Sequence, residues 1–523
     1  MSTPSDKYDV VIGLPSYNEV DSIAKVTKAA DEGCSRFFAG KRCLLINADC
    51  LSDDETRAIF QQTPTKADKK VLTTAIPAEG KGAALRLIFH EVLSSDAQWC
   101  ITLDTDLETL CAGWLGTFAH ALMEGADFVA PRYRRHRLDG TITNLVCFPV
   151  VCAAYGVHLR QPIGGDFGFS AAAVHAFFDN ADAWPKAASK YGIDILMSSS
   201  CLAAGLKIAE AELPPKVHKP SLPKLKPMSE QVISTLLAQL VRAAFTERLS
   251  LPSKEKEEAN LSDLRPSVPL TLWQGAESLS DVPEISVDPS CLSEAARELW
   301  ETRKEVFFRV LPPHLYSALE LSVAVEGGVW TDKRGWAEIL GWAVGEAVFL
   351  GNEKREGRDR DPKSSDEEKM KDVTAVVQVA FLSRAADHIR EVAGKTNEDA
   401  ETCVWGGADT LRQVVSEQGR KENLASPDRK KESECAPPLL STEEEGKKPS
   451  SSLTPLVLEV SQGLDEGHGE GQKVCRDSRK SSAETVDTPT ERGGADKEKE
   501  RDTGTKVEKG TRKTGETFPM RIQ

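Results

Sequence analysis

The stretch WCITLDTD, residues 99–106, carries the pattern that decides the fold. Trp99 to Leu103 is a short apolar run, which predicts a buried β-strand, and the run ends directly on Asp104. Similar runs alternate with helix-like segments on either side of it. Such alternation is typical of an α/β fold with a mostly parallel sheet. Ligands bind these sheets beyond the carboxyl ends of the strands, so Asp104 and Asp106 lie where a site is expected.

The neighbouring segments extend this α/β pattern in both directions. Further strands are predicted over Tyr8–Leu14, Cys43–Ala48 and Asp127–Arg132. Helices are predicted from about Asp21 and over Gly82–Leu93, where apolar residues recur on one side. The pattern therefore predicts strands and helices that follow one another in turn.

The chain of 523 residues is long enough for two or three domains. We expect the α/β domain over residues 1–225. An apolar stripe at helical spacing then predicts a mainly helical region over 226–419, with a charge-dense, disordered insert at 352–372. Residues 420–523 are rich in Glu, Lys, Ser, Thr, Gly and Pro. This segment is predicted to be a disordered tail, because it buries too little apolar surface to offset the entropy of ordering.

The composition disfavours several classes of protein. A net charge of −15 argues against a nucleic-acid partner. No apolar stretch is long enough to be a transmembrane segment, and the N-terminus MSTPSDKYDVV does not resemble a signal peptide. The twelve cysteines form no CxxC pair and are expected to be reduced thiols in a cytoplasmic protein. The tryptophan-rich helical region is consistent with a homodimer.

The Asp104-Thr105-Asp106 triplet is the strongest chemical signal. Carboxylates two residues apart at the end of a strand can reach one divalent cation, and Mg²⁺ or Mn²⁺ also binds diphosphate oxygens. Neutralising a departing diphosphate is what sugar transfer requires. The alternative is a polar turn in which Asp106 caps the next helix.

Two further loops follow strands or lead into helices. Gly80-Lys81-Gly82 precedes a predicted helix, where glycines, a helix N-terminus and a lysine together favour an anion, although the spacing is not that of a P-loop. The polar side chains of residues 15–19 could hold a base and a ribose. For both loops, an ordinary turn into a helix is the alternative.

Later residues add three weaker signals. Gly164, Gly165 and Asp166 could place a sugar against the backbone, or could form a plain glycine turn. Asp194 could bind a ligand or cap a helix. His218 could be a metal ligand through a neutral imidazole nitrogen, although a lone histidine is more often structural.

These motifs, taken in order, resemble those of GT-A glycosyltransferases. The narrower resemblance is to the retaining enzymes that make glucosylglycerate, mannosylglycerate and glucosyl-3-phosphoglycerate, and above all to bacterial glucosylglycerate synthases. It covers about residues 8–250. The motifs that carry it are PSYNE (15–19), Ser52-x-Asp54-x-Thr56, GKG (80–82), DTD (104–106), RYRRHRLDGTITN (132–144), QPIGGDFGFS (161–170), YGID (191–194) and KVH (216–218).

The resemblance implies a role for each matched residue. Asp104, Asp106, Lys81 and Thr143 are expected to be catalytic. Asp104, Asp106 and His218 are expected to bind the metal, and Arg135, Gly140 and Thr143 the acceptor. The residues expected to bind the donor are Pro15, Tyr17, Glu19, Asp49, Ser52, Lys81, Asp104, Gly164, Asp166 and Asp194.

The expected reaction moves glucose or mannose from a nucleoside-diphosphate sugar to a small hydroxy acid, with a divalent metal as cofactor. Thr141 stands where the phosphoglycerate enzymes carry an arginine, which favours D-glycerate over 3-phosphoglycerate. An acceptor of another kind and an inactive GT-A-like scaffold stay open. A nucleotidyltransferase is disfavoured, because PSYNE stands where its glycine-rich loop would be. The nucleotide base and the sugar stay open as well.

Overall fold

The computed structural model describes residues 7–179, 181–218, 222–251, 268–275, 281–324, 333–356 and 364–425. The helices in these ranges include none that is long and apolar enough to cross a membrane. Apart from residues 420–425, the predicted tail lies outside the described residues.

One mixed sheet organises the first part of the chain. Its strands in the described ranges are β1 Val10–Ser16, β2 Cys43–Asp49, β3 Asp68–Thr73, β4 Trp99–Thr102, β5 Phe128–Tyr133, β6 Phe167–Ser170, β7 Ile208–Leu213 and β8 Leu270–Thr271. They lie in the order β3-β2-β1-β4-β6-β5-β7-β8. Neighbouring strands run parallel except at β6, which is antiparallel to both β4 and β5.

Helices follow most of the strands. Those of the α/β part are α1 Ile23–Phe37, α2 Thr56–Gln62, α3 Lys81–Ser94, α4 Ala112–Met123, α5 Phe148–Tyr155, α6 Ala171–Phe178 and α7 Ile193–Ala203, with a π-helical turn at Thr143–Cys147. Those of the later part are α8 Leu225–Phe245, α9 Ser290–Val310, α10 Pro313–Ala324, α11 Lys333–Arg355, α12 Ser364–Val392 and α13 Asn397–Ala425.

Both faces of the sheet are buried, which explains why its central strands read as continuous apolar runs. All seven residues of β1 are buried. Its residues Val10, Ile12 and Leu14 pack with α1 and α4 on one face, whereas Val11 packs with α3 on the other. This sandwich holds the carboxyl ends of β1 and β4 side by side, since the two strands pair in parallel register.

The later helices pack against the α/β part and share its core. Helix α8 contacts α7, α11 and α12, and α13 contacts α5. The Trp336 indole Nε1 donates a 3.0 Å hydrogen bond to the Leu145 carbonyl, which joins α11 to the π-helical turn. The same cluster of buried apolar residues runs from the sheet into these helices.

The predicted fold class is confirmed, and the four predicted strands and the two predicted helices of the α/β part begin within two residues of the observed ones, whereas β3, β6, β7 and β8 were not predicted. The disordered insert at 352–372 is wrong in part: 352–355 end α11 and 364–372 begin α12, while 357–363 lie outside the described residues. Charged residues on a solvent-facing helix hid the periodicity. Helix α13 also runs past 419, and the other domain limits stay predictions.

Candidate functional site

A cavity of about 600 Å³ opens at the carboxyl ends of β1 and β4. Its walls come from the loops after these strands, from the start of α3 and from the segments 139–143, 163–165 and 216–218. This is the edge of the sheet at which an α/β fold places ligands. We call it the donor cavity. The predicted residues that line it are Pro15, Tyr17, Glu19, Lys81, Asp104, Asp106, Arg135, Gly140, Thr143, Gly164, Asp194 and His218.

Two buried lysines hold Asp104 at the floor of the donor cavity. Lys81 Nζ lies 2.7 Å from Asp104 Oδ1 and 3.3 Å from Asp194 Oδ1. Lys216 Nζ lies 2.7 Å from Asp104 Oδ2 and 3.2 Å from Asp166 Oδ2. Both oxygens of Asp104 are therefore engaged by ammonium groups. We call these five residues the lysine–aspartate cluster.

The cluster keeps its lysines charged. Burial disfavours the charged form of Lys81, but the carboxylates of Asp104 and Asp194 outweigh it and hold the pKa above its usual value. Burial also opposes ionisation of Asp104, yet Lys216 and Lys81 hold the pKa of Asp104 well below its usual range. The Lys216 pKa is raised in the same way, against burial, by Asp104 and Asp166. The cluster thus presents fixed charges at neutral pH.

Asp166 lies behind the cavity wall, not in it. Its side chain is fully buried, accepts a 2.6 Å hydrogen bond from the Asp104 backbone N–H, and accepts another from the Tyr133 hydroxyl. Burial raises the pKa of Asp166 to about 6, against the opposing charge of Lys216. Asp166 therefore does not line the cavity in this structure, and its contact with the donor sugar stays a prediction.

The mouth of the cavity holds Asp106 and His218. The next helix begins only at Ala112, so Asp106 does not cap it. Burial and the positive charge of Lys216 lower the pKa of His218, while Asp139 and Asp106 act in the opposite direction. The imidazole is therefore neutral at pH 7, the form that binds metals. In the described ranges, no three His, Cys, Asp or Glu side chains converge to form a complete metal site.

At one end of the cavity, Arg135 lies against the loop of residues 139–143. Its Nη1 is 2.7 Å from Asp139 Oδ2, and its Nε donates a 3.1 Å hydrogen bond to Gln161 Oε1. Gly140 has φ +69°, and a Cβ there would lie 3.3 Å from Arg135 Cδ. Thr141 and Thr143 are buried in the same wall. This end combines a cation with hydroxyl groups, as a small hydroxy acid requires.

At the opposite end, the loop after β1 contributes Pro15, Tyr17 and Glu19. Asp49 and Ser52 lie behind this loop and do not line the cavity. Asp49 is fully buried and accepts hydrogen bonds from the Ser16 and Ser52 hydroxyls at 2.9 and 2.6 Å. Asp49 and Ser52 thus support the loop from beneath, and their part in donor binding stays a prediction.

The sequence reasoning missed Lys216 and Tyr133. Lys216 is the buried lysine that joins Asp104 to Asp166, and its ammonium lies 5.1 Å from the centre of the Tyr133 ring. Both residues lie in motifs that were singled out for a different residue. Lys216 precedes His218 by two positions, and Tyr133 precedes Arg135 by two.

Two glycines explain why the chain can pass so close to the cluster. Gly165 has φ +96°, and a Cβ there would lie 2.1 Å from Asp104 Oδ2 and 2.6 Å from Lys216 Nζ. A Cβ on Gly82 would lie 1.8 Å from the Ala188 carbonyl oxygen. The predicted glycine motifs therefore serve close packing around the lysines.

One family of known proteins matches part of this chain. Residues 54–235 match the family described as mannosylglycerate synthase, GT domain. The matched region covers about a third of the chain, and it contains every member of the lysine–aspartate cluster. The resemblance seen in the sequence is confirmed at this level. Among curated proteins, none matches the chain.

Solved structures similar to the chain include glucosyl-3-phosphoglycerate synthase from Mycobacterium tuberculosis. Its complex with Mn²⁺, UDP and glucosyl-3-phosphoglycerate is 23% identical, covers 44% of this chain and 80% of its own, and has a TM-score of 0.36. Its complex with Mg²⁺ and UDP is 22% identical, covers 44% and 79%, and has a TM-score of 0.35.

Proposed function

We propose that this protein is a retaining hexosyltransferase that moves glucose or mannose from a nucleoside-diphosphate sugar to D-glycerate, giving a glucosylglycerate-type compatible solute. The observation that carries the proposal is the lysine–aspartate cluster at the floor of the donor cavity, with Asp106 and His218 at its mouth. The family match over residues 54–235 supports it.

A divalent cation, Mg²⁺ or Mn²⁺, fits the mouth of the donor cavity. Asp106 and His218 would hold it, while Asp104 is already bound by both lysines. The carboxylates of Asp104, Asp166 and Asp194 already neutralise Lys81 and Lys216, so an added cation would supply positive charge that a diphosphate needs. When bound, the metal would neutralise charge on the departing diphosphate.

The protein's own groups then act by position and charge. Lys81 and Lys216, held in place by carboxylates, stabilise the negative charge that develops on the leaving diphosphate. Arg135 binds the acceptor carboxylate, and Thr143 orients the acceptor hydroxyl. The bond from the anomeric carbon to the diphosphate breaks as the acceptor oxygen attacks the same face. The proton of that hydroxyl passes to a diphosphate oxygen.

The choice of D-glycerate rests on the 139–143 loop. Arg135 supplies a cation for one carboxylate, and Thr141 supplies no second cation within this loop, because the other arginines near Arg135 line a separate recess. A phosphorylated acceptor carries additional negative charge at that position. We therefore expect D-glycerate to be used in preference to 3-phosphoglycerate.

The test is product formation by the full chain, with Mg²⁺ or Mn²⁺, UDP-glucose, GDP-glucose or GDP-mannose, and either D-glycerate or 3-phosphoglycerate. Sugar transfer to D-glycerate that is lost in Asp106→Ala is the expected result, and it would also identify the donor. Donor hydrolysis without transfer to either acceptor would overturn the acceptor assignment alone. No donor turnover and no metal-dependent nucleotide binding would leave the inactive scaffold as the function.

A further inference from the structure

A second cavity of about 310 Å³ lies on the other side of Arg135, between the end of β5 and the helices α12 and α13. Its lining contains five arginines and one carboxylate, Glu401. The arginines are Arg132, Arg134, Arg135, Arg137 and Arg160. We call it the arginine cavity. Four of the arginines already pair with a carboxylate, so the case for an anion rests on the guanidinium N–H groups that these pairs leave without a partner.

The guanidinium of Arg160 forms the inner wall of the arginine cavity. Its Nε and Nη2 each lie 2.6 Å from an oxygen of Glu401, and Nη2 also donates to Asn144 Oδ1 at 3.0 Å. The Arg160 side chain is 7% exposed. Its buried Nη1 has no hydrogen-bond partner among the described residues, and neither has the buried Nε of Arg137. A buried donor without an acceptor is costly, which an incoming anion could correct.

The outer wall already holds one carboxylate, that of Glu284. Its oxygen lies 2.9 Å from His136 Nε2 and 3.3 Å from Arg137 Nη2, although the Glu284 side chain is 76% exposed. An exposed carboxylate gains little from such a pair. Glu284 is therefore held only weakly, from the solvent side. An anion that binds more tightly could take its position.

We propose that the arginine cavity is a binding site for a phosphate group, carried by a small phosphorylated molecule or by inorganic phosphate. Planar guanidinium groups bind phosphate oxygens in pairs, and several arginines here face one volume. The site is separate from the donor cavity and uses none of the lysine–aspartate cluster. It adjoins the acceptor end through Arg135, which lines both cavities.

The proposal is tested by calorimetric titration of the full chain with inorganic phosphate, in metal-free buffer containing a chelator. These conditions exclude a metal-dependent phosphate in the donor cavity, so the outcome does not depend on the proposed transferase activity. We expect saturable binding that sodium acetate at the same concentration does not reproduce. Absence of saturable phosphate binding would overturn the proposal.

Two variants of opposite expected sign locate the site. Arg137→Gln should weaken phosphate binding at least about ten-fold, because it removes a charged donor from the wall. Glu284→Gln should strengthen it several-fold, because it removes a competing carboxylate. Arg36→Gln, at an exposed arginine of α1, is the matched control and should leave the affinity unchanged. Affinities of Arg137→Gln and Glu284→Gln that equal the control would place the phosphate elsewhere and contradict the proposal.

Discussion

The two cavities on either side of Arg135 differ in how their charged side chains are paired. In the donor cavity, each buried lysine lies between two carboxylates, so the cations are fixed in position and largely neutralised. In the arginine cavity, four of the five arginines pair with a carboxylate, but the buried Nη1 of Arg160 and Nε of Arg137 have no hydrogen-bond partner among the described residues. Paired cations in fixed positions orient groups for chemistry, and we propose that an added metal completes this site for a diphosphate. Guanidinium N–H groups without a partner are suited to bind an anion directly.

The largest effect is expected at Gly165, where the backbone lies against the lysine–aspartate cluster. Gly165→Ala would drive a Cβ into Asp104 Oδ2 and Lys216 Nζ, so we expect sugar transfer to fall at least about a hundred-fold in kcat/KM, the cost of displacing a charged catalytic group. Gly125→Ala is the matched control, since Gly125 has φ +94° and open space around its Cβ position. Equal kinetics in the two variants would contradict this role of the cluster.

The next test removes the cation that the sequence reasoning overlooked. Lys216→Met leaves Asp166 buried without its ammonium partner, and we expect the free energy of unfolding to drop by about 3 kcal/mol. Urea denaturation measures it. Lys226→Met, which breaks an exposed pair with Glu298, should change stability by less than about 1 kcal/mol. A loss no larger than that control would mean that the cluster is not held together by Lys216.

The contacts behind these tests differ in how well they can be predicted from the sequence. Asp104 and Asp106 could be placed because a strand end is a local feature, visible within eight residues. Lys216 pairs with Asp104 across 112 residues, and nothing local distinguishes it from a surface lysine. Asp166 lies behind the cavity wall because it directly precedes the antiparallel strand β6. The sequence of this segment predicts only a glycine loop.

The arginine cavity could not be predicted either, because its contacts also join residues that are far apart in the sequence. The string RYRRHR is visible in the sequence, but Arg160 meets Glu401 across 241 residues, through the docking of α13. An apolar stripe predicts that a helix packs, yet it does not say against which loop. The homodimer, the cytoplasmic location and the nature of the tail stay predictions.

A pH dependence sharpens the account of Asp166. Its pKa is about 6 in the folded protein and about 3.9 in an unfolded chain, so the folded state binds a proton that the unfolded state has released between these values. The stabilisation tied to this proton is complete below pH 4 and is lost as pH rises through 6. Wild type should therefore lose up to about 3 kcal/mol relative to Asp166→Asn over that range, measured by denaturation at each pH. Parallel stability curves would contradict the buried position.

The smallest expected effect concerns Arg135, which borders both cavities. Arg135→Gln should raise the KM for D-glycerate about ten-fold, because a charge-assisted hydrogen bond to the carboxylate is lost. The affinity for the nucleoside diphosphate should stay unchanged, since Arg135 is proposed to bind the acceptor and not the nucleotide. Steady-state kinetics with each substrate varied in turn separates the two. An equal loss of donor affinity would place Arg135 at the nucleotide instead.

The most direct test of the account is calorimetric binding of UDP and GDP to the full chain, with and without Mn²⁺. We expect Mn²⁺-dependent binding of one nucleotide, weakened at least about a hundred-fold in Asp106→Ala and in His218→Ala and unchanged in Arg36→Gln. A hundred-fold loss in either variant corresponds to about 2.7 kcal/mol of binding free energy. Nucleotide binding that needs no metal, or that persists in Asp106→Ala, would contradict the assignment of the cavity mouth as the metal site.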